Sequence, residues 1–141
     1  MRRANSKLAS MQTDVTKPLR IFLVEDSPAV LERLSELLGA IPATRIIGCA
    51  TGADEAIRAI LAAKPDVVVL DMQLAQGSGF DVLRAVHAQA PAIDIYLLSN
   101  YASPSYREAA LRLGARDFFD KTADFNRVRD IVAARVHATA H

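Results

Sequence analysis

Four strand-like runs in this chain each end in a residue suited to handling a phosphoryl group. Ile21-Phe22-Leu23-Val24 leads into Glu25-Asp26, and Val67-Val68-Val69-Leu70 into Asp71. Ile93-Asp94-Ile95-Tyr96-Leu97-Leu98 leads into Ser99, and Asp117-Phe118-Phe119-Asp120 into Lys121. A carboxylate such as Asp71 can take a phosphoryl group to form an acyl phosphate. That transfer is mostly positioning and charge stabilisation. Mg²⁺ suits it, because the ion prefers oxygen ligands and is usually held by one or two carboxylates plus phosphate and water. Glu25 and Asp26 supply such oxygens. Without a cation the three acids would repel and at least one would hold its proton more tightly. Lys121 offsets them as a point charge, and Ser99 offers a hydroxyl donor.

For these residues to meet, the runs must lie side by side and point the same way. Strand and helix signals alternate from Leu19 onward. Leu19 to Val24, Arg45 to Ala50, Asp66 to Leu70, Ile93 to Leu98 and Arg116 to Asp120 read as strands. The third is wholly apolar after its first residue, as expected of a central parallel strand covered on both faces. Ser27-Pro28 and Ser103-Pro104 each read as an N-cap followed by proline at the first helical position. Val30, Leu31, Leu34, Leu37 and Leu38 recur at helical spacing before Gly39, and Ala53 to Ala63 is a second helix broken by Lys64-Pro65. Gln76-Gly77-Ser78-Gly79 reads as a loop before a helix marked by Phe80, Val82, Leu83 and Val86. The fourth helix ends before Gly114, and Phe125, Val128, Ile131, Val132 and Val136 line the last. Five such repeats of strand and helix, joined by right-handed crossovers, make a doubly wound α/β three-layer sandwich. Ligands in such folds bind outside the carboxyl ends of the strands, so all the polar residues above should share one rim.

Bulk properties narrow the classes. The chain has 141 residues, 51% of them hydrophobic, and a formal charge of +1, so a single globular domain is expected with no footprint for nucleic acid. Cys49 is the sole cysteine, which excludes an internal disulfide, and it reads as a buried strand residue. No apolar stretch is long enough to span a bilayer, and the start lacks the apolar core of a signal peptide. The expected location is therefore cytoplasmic, without membrane contact. Residues 1–17 read as a flexible tail, 18–138 as the domain and 139–141 as a C-terminal tail.

Val24-Glu25-Asp26-Ser27-Pro28, Val69-Leu70-Asp71-Met72, Leu98-Ser99 and Gly114-Ala115-Arg116-Asp117-Phe118-Phe119-Asp120-Lys121 resemble the receiver domain of bacterial two-component response regulators. The match covers about residues 19 to 137. The resemblance implies a flavodoxin-like (βα)₅ fold with a parallel sheet of order 2-1-3-4-5. It implies phosphorylation of Asp71 by a sensor histidine kinase or a histidine phosphotransfer protein. Mg²⁺ would be held by Glu25, Asp26, Asp71 and the backbone carbonyl of Gln73. Ser99 and Lys121 would grip the phosphoryl group, and Phe118 would rotate inward as Ser99 moves. The face of the fourth helix, fifth strand and fifth helix would then present the result to an effector protein, with homodimerisation on phosphorylation as a further mode. Three departures bear on tuning. Asn100 and the bulky Tyr101 follow the hydroxyl residue, where access by water or small phosphodonors is expected to be restricted. Thr122 follows Lys121 where proline is frequent, which puts the family's usual cis peptide in doubt. Phe118 lacks a tyrosine hydroxyl, so packing alone would read its position.

Each residue also has an ordinary explanation. Glu25-Asp26-Ser27 could simply cap a helix, Asp71 could be a loop acid, and Lys121 and Ser99 could be surface residues. Their joint placement after successive strands favours the functional reading. His87 is expected on a helix surface. His137 and His141 stand four apart but lack further ligands for a metal. The glycines around Ser78 lack the pattern of a nucleotide phosphate cradle. Few residues follow the last helix, so a stand-alone switch is expected, with a phosphate sink or relay as alternatives and a non-phosphorylated binding module as another. The chain would accept phosphate and catalyse its own phosphorylation and dephosphorylation without being a multiple-turnover enzyme. A phosphohydrolase would resemble a pattern with a second acid two residues after the nucleophile, where this chain has Gln73.

Overall fold

The structure, a computed structural model, describes residues 17–140, with side chains described through His137. Along them run β1 (Leu19–Val24), α1 (Pro28–Gly39), β2 (Thr44–Ala50), α2 (Ala53–Ala63), β3 (Val67–Asp71), α3 (Gly79–Gln89), β4 (Asp94–Ser99), α4 (Pro104–Arg112), β5 (Asp117–Asp120) and α5 (Phe125–Ala140). The strands form one parallel sheet in the order β2-β1-β3-β4-β5, the doubly wound arrangement expected. Strand ends differ from the sequence expectation by a residue. The last helix is described through Ala140, two residues beyond the expected boundary at 138. The expected N-terminal tail and His141 lie outside the described residues, apart from Lys17.

Alternation along the strands sorts side chains onto two faces. Phe22, Val24, Val68, Leu70, Ile95, Leu97 and Phe118 face one way, against Ala56 and Ile60 of α2, Val82, Leu83 and Val86 of α3, and Ala110 of α4. Ile21, Leu23, Val67, Val69, Tyr96, Leu98 and Phe119 face the other, against Leu34 and Leu38 of α1 and Val128 and Val132 of α5. Covered on both sides, β3 is buried along its whole length, so the strand that ends in Asp71 is held rigidly.

The helix starts behave as their residues dictate. Ser27 and Ser103 each accept a backbone N–H at the N-cap, with proline in the first turn. The expected loop before α3 proves more ordered, because Ser78 and Asp81 form a reciprocal capping box. Helix α2 has Gly52 at its N-cap and no side-chain cap of its own. Gln76 supplies one instead, accepting the Ala53 N–H on its backbone oxygen (2.8 Å) and the Asp54 N–H on Oε1 (3.1 Å).

Two histidine and cysteine expectations change. Cys49 is exposed, because β2 is an edge strand paired only with β1. His87 is half-buried, with its ring against Gly114, where a Cβ would come within 2.5 Å of the imidazole.

Gly79 opens α3 directly behind the carboxyl end of β3. A Cβ there would lie 2.5 Å from the carbonyl oxygen of Asp71 and 2.8 Å from the Met72 Cα, both backbone atoms that cannot swing aside. Gly79→Ala should therefore destabilise the fold by about 1–3 kcal/mol, the usual scale of overpacking, as measured by urea unfolding. The amide signals of Asp71 and Met72 should shift more than those of β1 in an NMR spectrum.

Candidate functional site

Strand order reverses between β1 and β3: the chain leaves β1 toward β2 and returns to β3 on the other side. Crevices form at such points beyond the carboxyl ends of the strands. Val24 pairs with Leu70 there, so the next residues, Glu25 and Asp71, emerge side by side. Carboxylate oxygens of Glu25, Asp26 and Asp71 lie within 4.8 Å of one another. Glu25 and Asp71 are 1% and 2% exposed, which makes their charges costly unless paired, whereas Asp26 faces solvent.

Pairing comes from β5. Ser99 pairs with Asp120, and the Lys121 N–H donates to the Ser99 carbonyl, which sets the lysine at the same rim. Its ammonium donates to Asp71 Oδ2 at 2.9 Å and stands 2.9 Å from Glu25 Oε1. The second contact is as short as the first, so the Lys121 charge holds Glu25 Oε1, and no further donor reaches that buried oxygen. The Ser27 N–H donates to the other Glu25 oxygen at 3.0 Å, and the Gln73 N–H to Asp71 Oδ1 at 3.3 Å.

Burial pushes the Glu25 carboxyl above its ordinary range, and the charge of Asp71 adds to the rise; Lys121 and the Ser27 N–H pull against it. Burial also works against the charged form of Lys121, but the hydrogen bonds and charges of Asp71 and Glu25 outweigh it and leave its pKa raised. Three clustered carboxylates, two of them buried, form an all-oxygen donor set that fits a hard divalent cation such as Mg²⁺.

These groups line an open cavity of about 620 Å³, with Gln73 and Asn100 on its wall. The Gln73 Oε1 is buried there without a partner. Ser99 and Phe118 do not reach the cavity. The buried Ser99 hydroxyl accepts the Tyr101 N–H at 2.9 Å and donates to the Tyr101 carbonyl at 3.2 Å, so it is engaged by its own loop. Phe118 already lies inward, packed with Ile95, Leu97 and Ala110. Tyr101 meets the site through its backbone; its ring is 62% exposed and outside the cavity lining. All described peptide bonds are trans, that between Lys121 and Thr122 included.

Sequence reasoning did not anticipate two contacts. Arg107 on α4 donates to the Phe118 carbonyl at 2.9 Å and pairs with Asp117 at 3.0 Å, tying that helix to the edge of β5. Arg33 on α1 lies over the Phe125 ring, its guanidinium carbon 4.2 Å from the centroid. Both join residues distant in sequence, and no local spacing signals either.

The model of the response regulator receiver domain matches residues 21–133, which spans all five strands but the start of β1. The chain belongs to that family. A protein-glutamate methylesterase/protein-glutamine glutaminase from Symbiobacterium thermophilum is 30% identical over 137 residues, covering 92% of this chain and 38% of that protein. The DNA-binding transcriptional activator DevR/DosR of Mycobacterium tuberculosis is 34% identical over 103 residues, covering 73% of this chain and 48% of that protein. Among solved structures, a two-component response regulator of the LuxR family from Aurantimonas sp. SI85-9A1 superposes with a TM-score of 0.79 at 26% identity, covering 86% of each chain. This receiver domain thus spans less than half the length of these two curated relatives. Members of the family act as phosphoacceptors in two-component signalling and generally bind Mg²⁺. Among the described residues, no helix is long and apolar enough to cross a membrane.

Replacing Lys121 by methionine leaves two buried carboxylates facing each other. Lys121→Met should cost about 2–4 kcal/mol at neutral pH in metal-free urea unfolding, somewhat below a fully dry pair because the lysine keeps a path to solvent. The Glu25 pKa is raised in the fold, so stability linked to it is present in full below the unfolded value and is lost as pH rises through the folded one. The deficit of Lys121→Met should therefore shrink on mild acidification, and Mg²⁺ should recover part of it at neutral pH.

Proposed function

We propose that Asp71 accepts a phosphoryl group from the phosphohistidine of a sensor kinase or a histidine phosphotransfer protein, and that the change is passed to a partner protein. The observation that carries this reading is the Lys121 ammonium 2.9 Å from Asp71 Oδ2, in a cavity lined also by Glu25 and Asp26.

A carboxylate oxygen of Asp71 attacks phosphorus as the bond to the imidazole nitrogen of the donor breaks. That nitrogen keeps the electron pair and takes up a proton. Asp71 is suited to attack because β3 fixes its backbone and the Gln73 N–H orients one oxygen. Lys121 supplies a mobile positive charge that can follow the phosphoryl oxygens. A bound Mg²⁺, held by Glu25, Asp26, Asp71 and the Gln73 carbonyl, would neutralise charge on those oxygens. The Ser99 hydroxyl can reach a phosphoryl oxygen only by giving up its bonds to Tyr101, which couples the loop before α4 to the chemistry. Phe118 is already buried, so that movement is proposed to need no inward rotation of its ring.

The surface of α4, β5 and α5 is the proposed signalling face, where Arg107 ties α4 to β5 through the Phe118 carbonyl and Asp117. Gln73 stands two residues after Asp71, and its amide is a poor proton donor for a departing ester, so the domain is proposed to be a switch rather than a turnover enzyme. Gln73, Asn100 and Tyr101 are proposed to set the rates of entry and loss of phosphate. The cytoplasm is the proposed compartment.

Incubation with Mg²⁺ and either a phosphorylated kinase or acetyl phosphate should give hydroxylamine-sensitive labelling that falls to background in Asp71→Asn. Equal labelling of the two proteins would move the acceptor elsewhere.

A further inference from the structure

The cavity that contains Asp71 does not end at Lys121. It continues outward between α1 and the start of α5, where Arg33 and Phe125 form its wall. Phe125 is buried, and the guanidinium carbon of Arg33 sits 4.2 Å from its ring centroid. Stacking on an aromatic face uses the plane of the guanidinium and leaves its edge donors free. Arg33 makes no ion pair among the described residues, although Glu36 follows three residues later on the same helix. It is a cation held in position by a neutral surface, with its hydrogen-bonding edge unclaimed.

Charge gives that edge a use. With Mg²⁺ held by Glu25, Asp26 and Asp71, the acids, the ion and Lys121 would be committed to one another, which leaves little free positive charge there to draw a dianion from solvent. Lys121 is already engaged by Asp71 and Glu25. Arg33 is therefore the lining cation not engaged by the acids, and a planar fork of N–H donors matches phosphate oxygens.

We infer that Arg33, stacked on Phe125, is a phosphate-binding residue that captures a small dianionic acyl phosphate at the cavity mouth before Asp71 attacks it. The inference rests on the reading of Asp71 as phosphoacceptor. Arg33 acts on capture alone: in the transfer itself the Asp71 oxygen bonds to phosphorus, the acyl P–O bond breaks, and the carboxylate leaves with its electron pair.

The test is the initial rate of Asp71 labelling of the full chain with saturating Mg²⁺, against concentration of acetyl phosphate and, separately, of phosphoramidate, which carries less negative charge at neutral pH. Arg33→Gln should raise the half-saturating acetyl phosphate concentration by about five- to tenfold, the scale of one lost hydrogen bond at a solvent-exposed site. The maximal rate and the unfolding midpoint should stay unchanged, and the phosphoramidate constant should move much less. Arg33→Lys should recover part of the loss, and Phe125→Leu should shift the constant in the same direction as Arg33→Gln by removing the stacking surface. An unchanged constant in Arg33→Gln, or equal shifts for both donors, overturns the inference while labelled wild-type protein leaves the acceptor reading intact. Wild-type protein unlabelled at Asp71 by either donor overturns both.

Discussion

The Lys121 ammonium lies between two buried carboxylates that reach it from opposite halves of the chain, and the rim of the sheet is arranged around that contact. Glu25 arrives from β1, Asp71 from β3 and Lys121 from beyond β5, the last two fifty positions apart in sequence. None of the three would be stable at this depth alone, because an unpaired buried charge is costly. Their pairing is incomplete: one ammonium serves both buried carboxylates, and burial pushes the Glu25 carboxyl toward the protonated form. With Asp26 added, three carboxylates meet one ammonium, a set of oxygens that could hold a divalent cation.

The rest of the fold holds that imbalance in place. Helices on both faces bury β3 along its length, and Gly79 lets α3 start against the backbone of Asp71. Gln76 ties the loop after β3 to the start of α2, so the chain on either side of Gln73 is anchored. The parts that must respond are held by weaker, local bonds. The Ser99 hydroxyl is engaged by its own loop, and the Lys121 ammonium by the very groups that a phosphoryl group would join. Rigid acids and releasable donors at one rim are what a reversible switch requires.

Much of this was legible in the residues. Strand order followed from five alternating apolar runs together with the family resemblance, and the site from the polar residue after each run, because β-strands deliver their ends to a common edge. Ser27 and Ser103 announced their helices through cap chemistry. Cys49 was misjudged because strand membership says nothing of edge or centre, and β2 is an edge. The capping box of Ser78 and Asp81 was readable at its three-residue spacing but was masked by the flanking glycines. Gln76 capping α2, Arg107 holding β5 and Arg33 over Phe125 are contacts between distant segments, set by how the layers pack rather than by any local pattern. The inward position of Phe118 is likewise a matter of packing.

If Asp71 accepts the phosphoryl group, Lys121 must exchange partners as the acceptor is loaded. A crystal structure of the full chain with Mg²⁺ and beryllium trifluoride decides this. The beryllium is expected on an Asp71 oxygen, the metal on Glu25 and Asp26, Lys121 moved from Glu25 to a fluoride, and the Ser99 hydroxyl released from Tyr101 onto another fluoride. Lys121 still bridging Glu25 and Asp71, with Asp71 unmodified under saturating conditions, would contradict it.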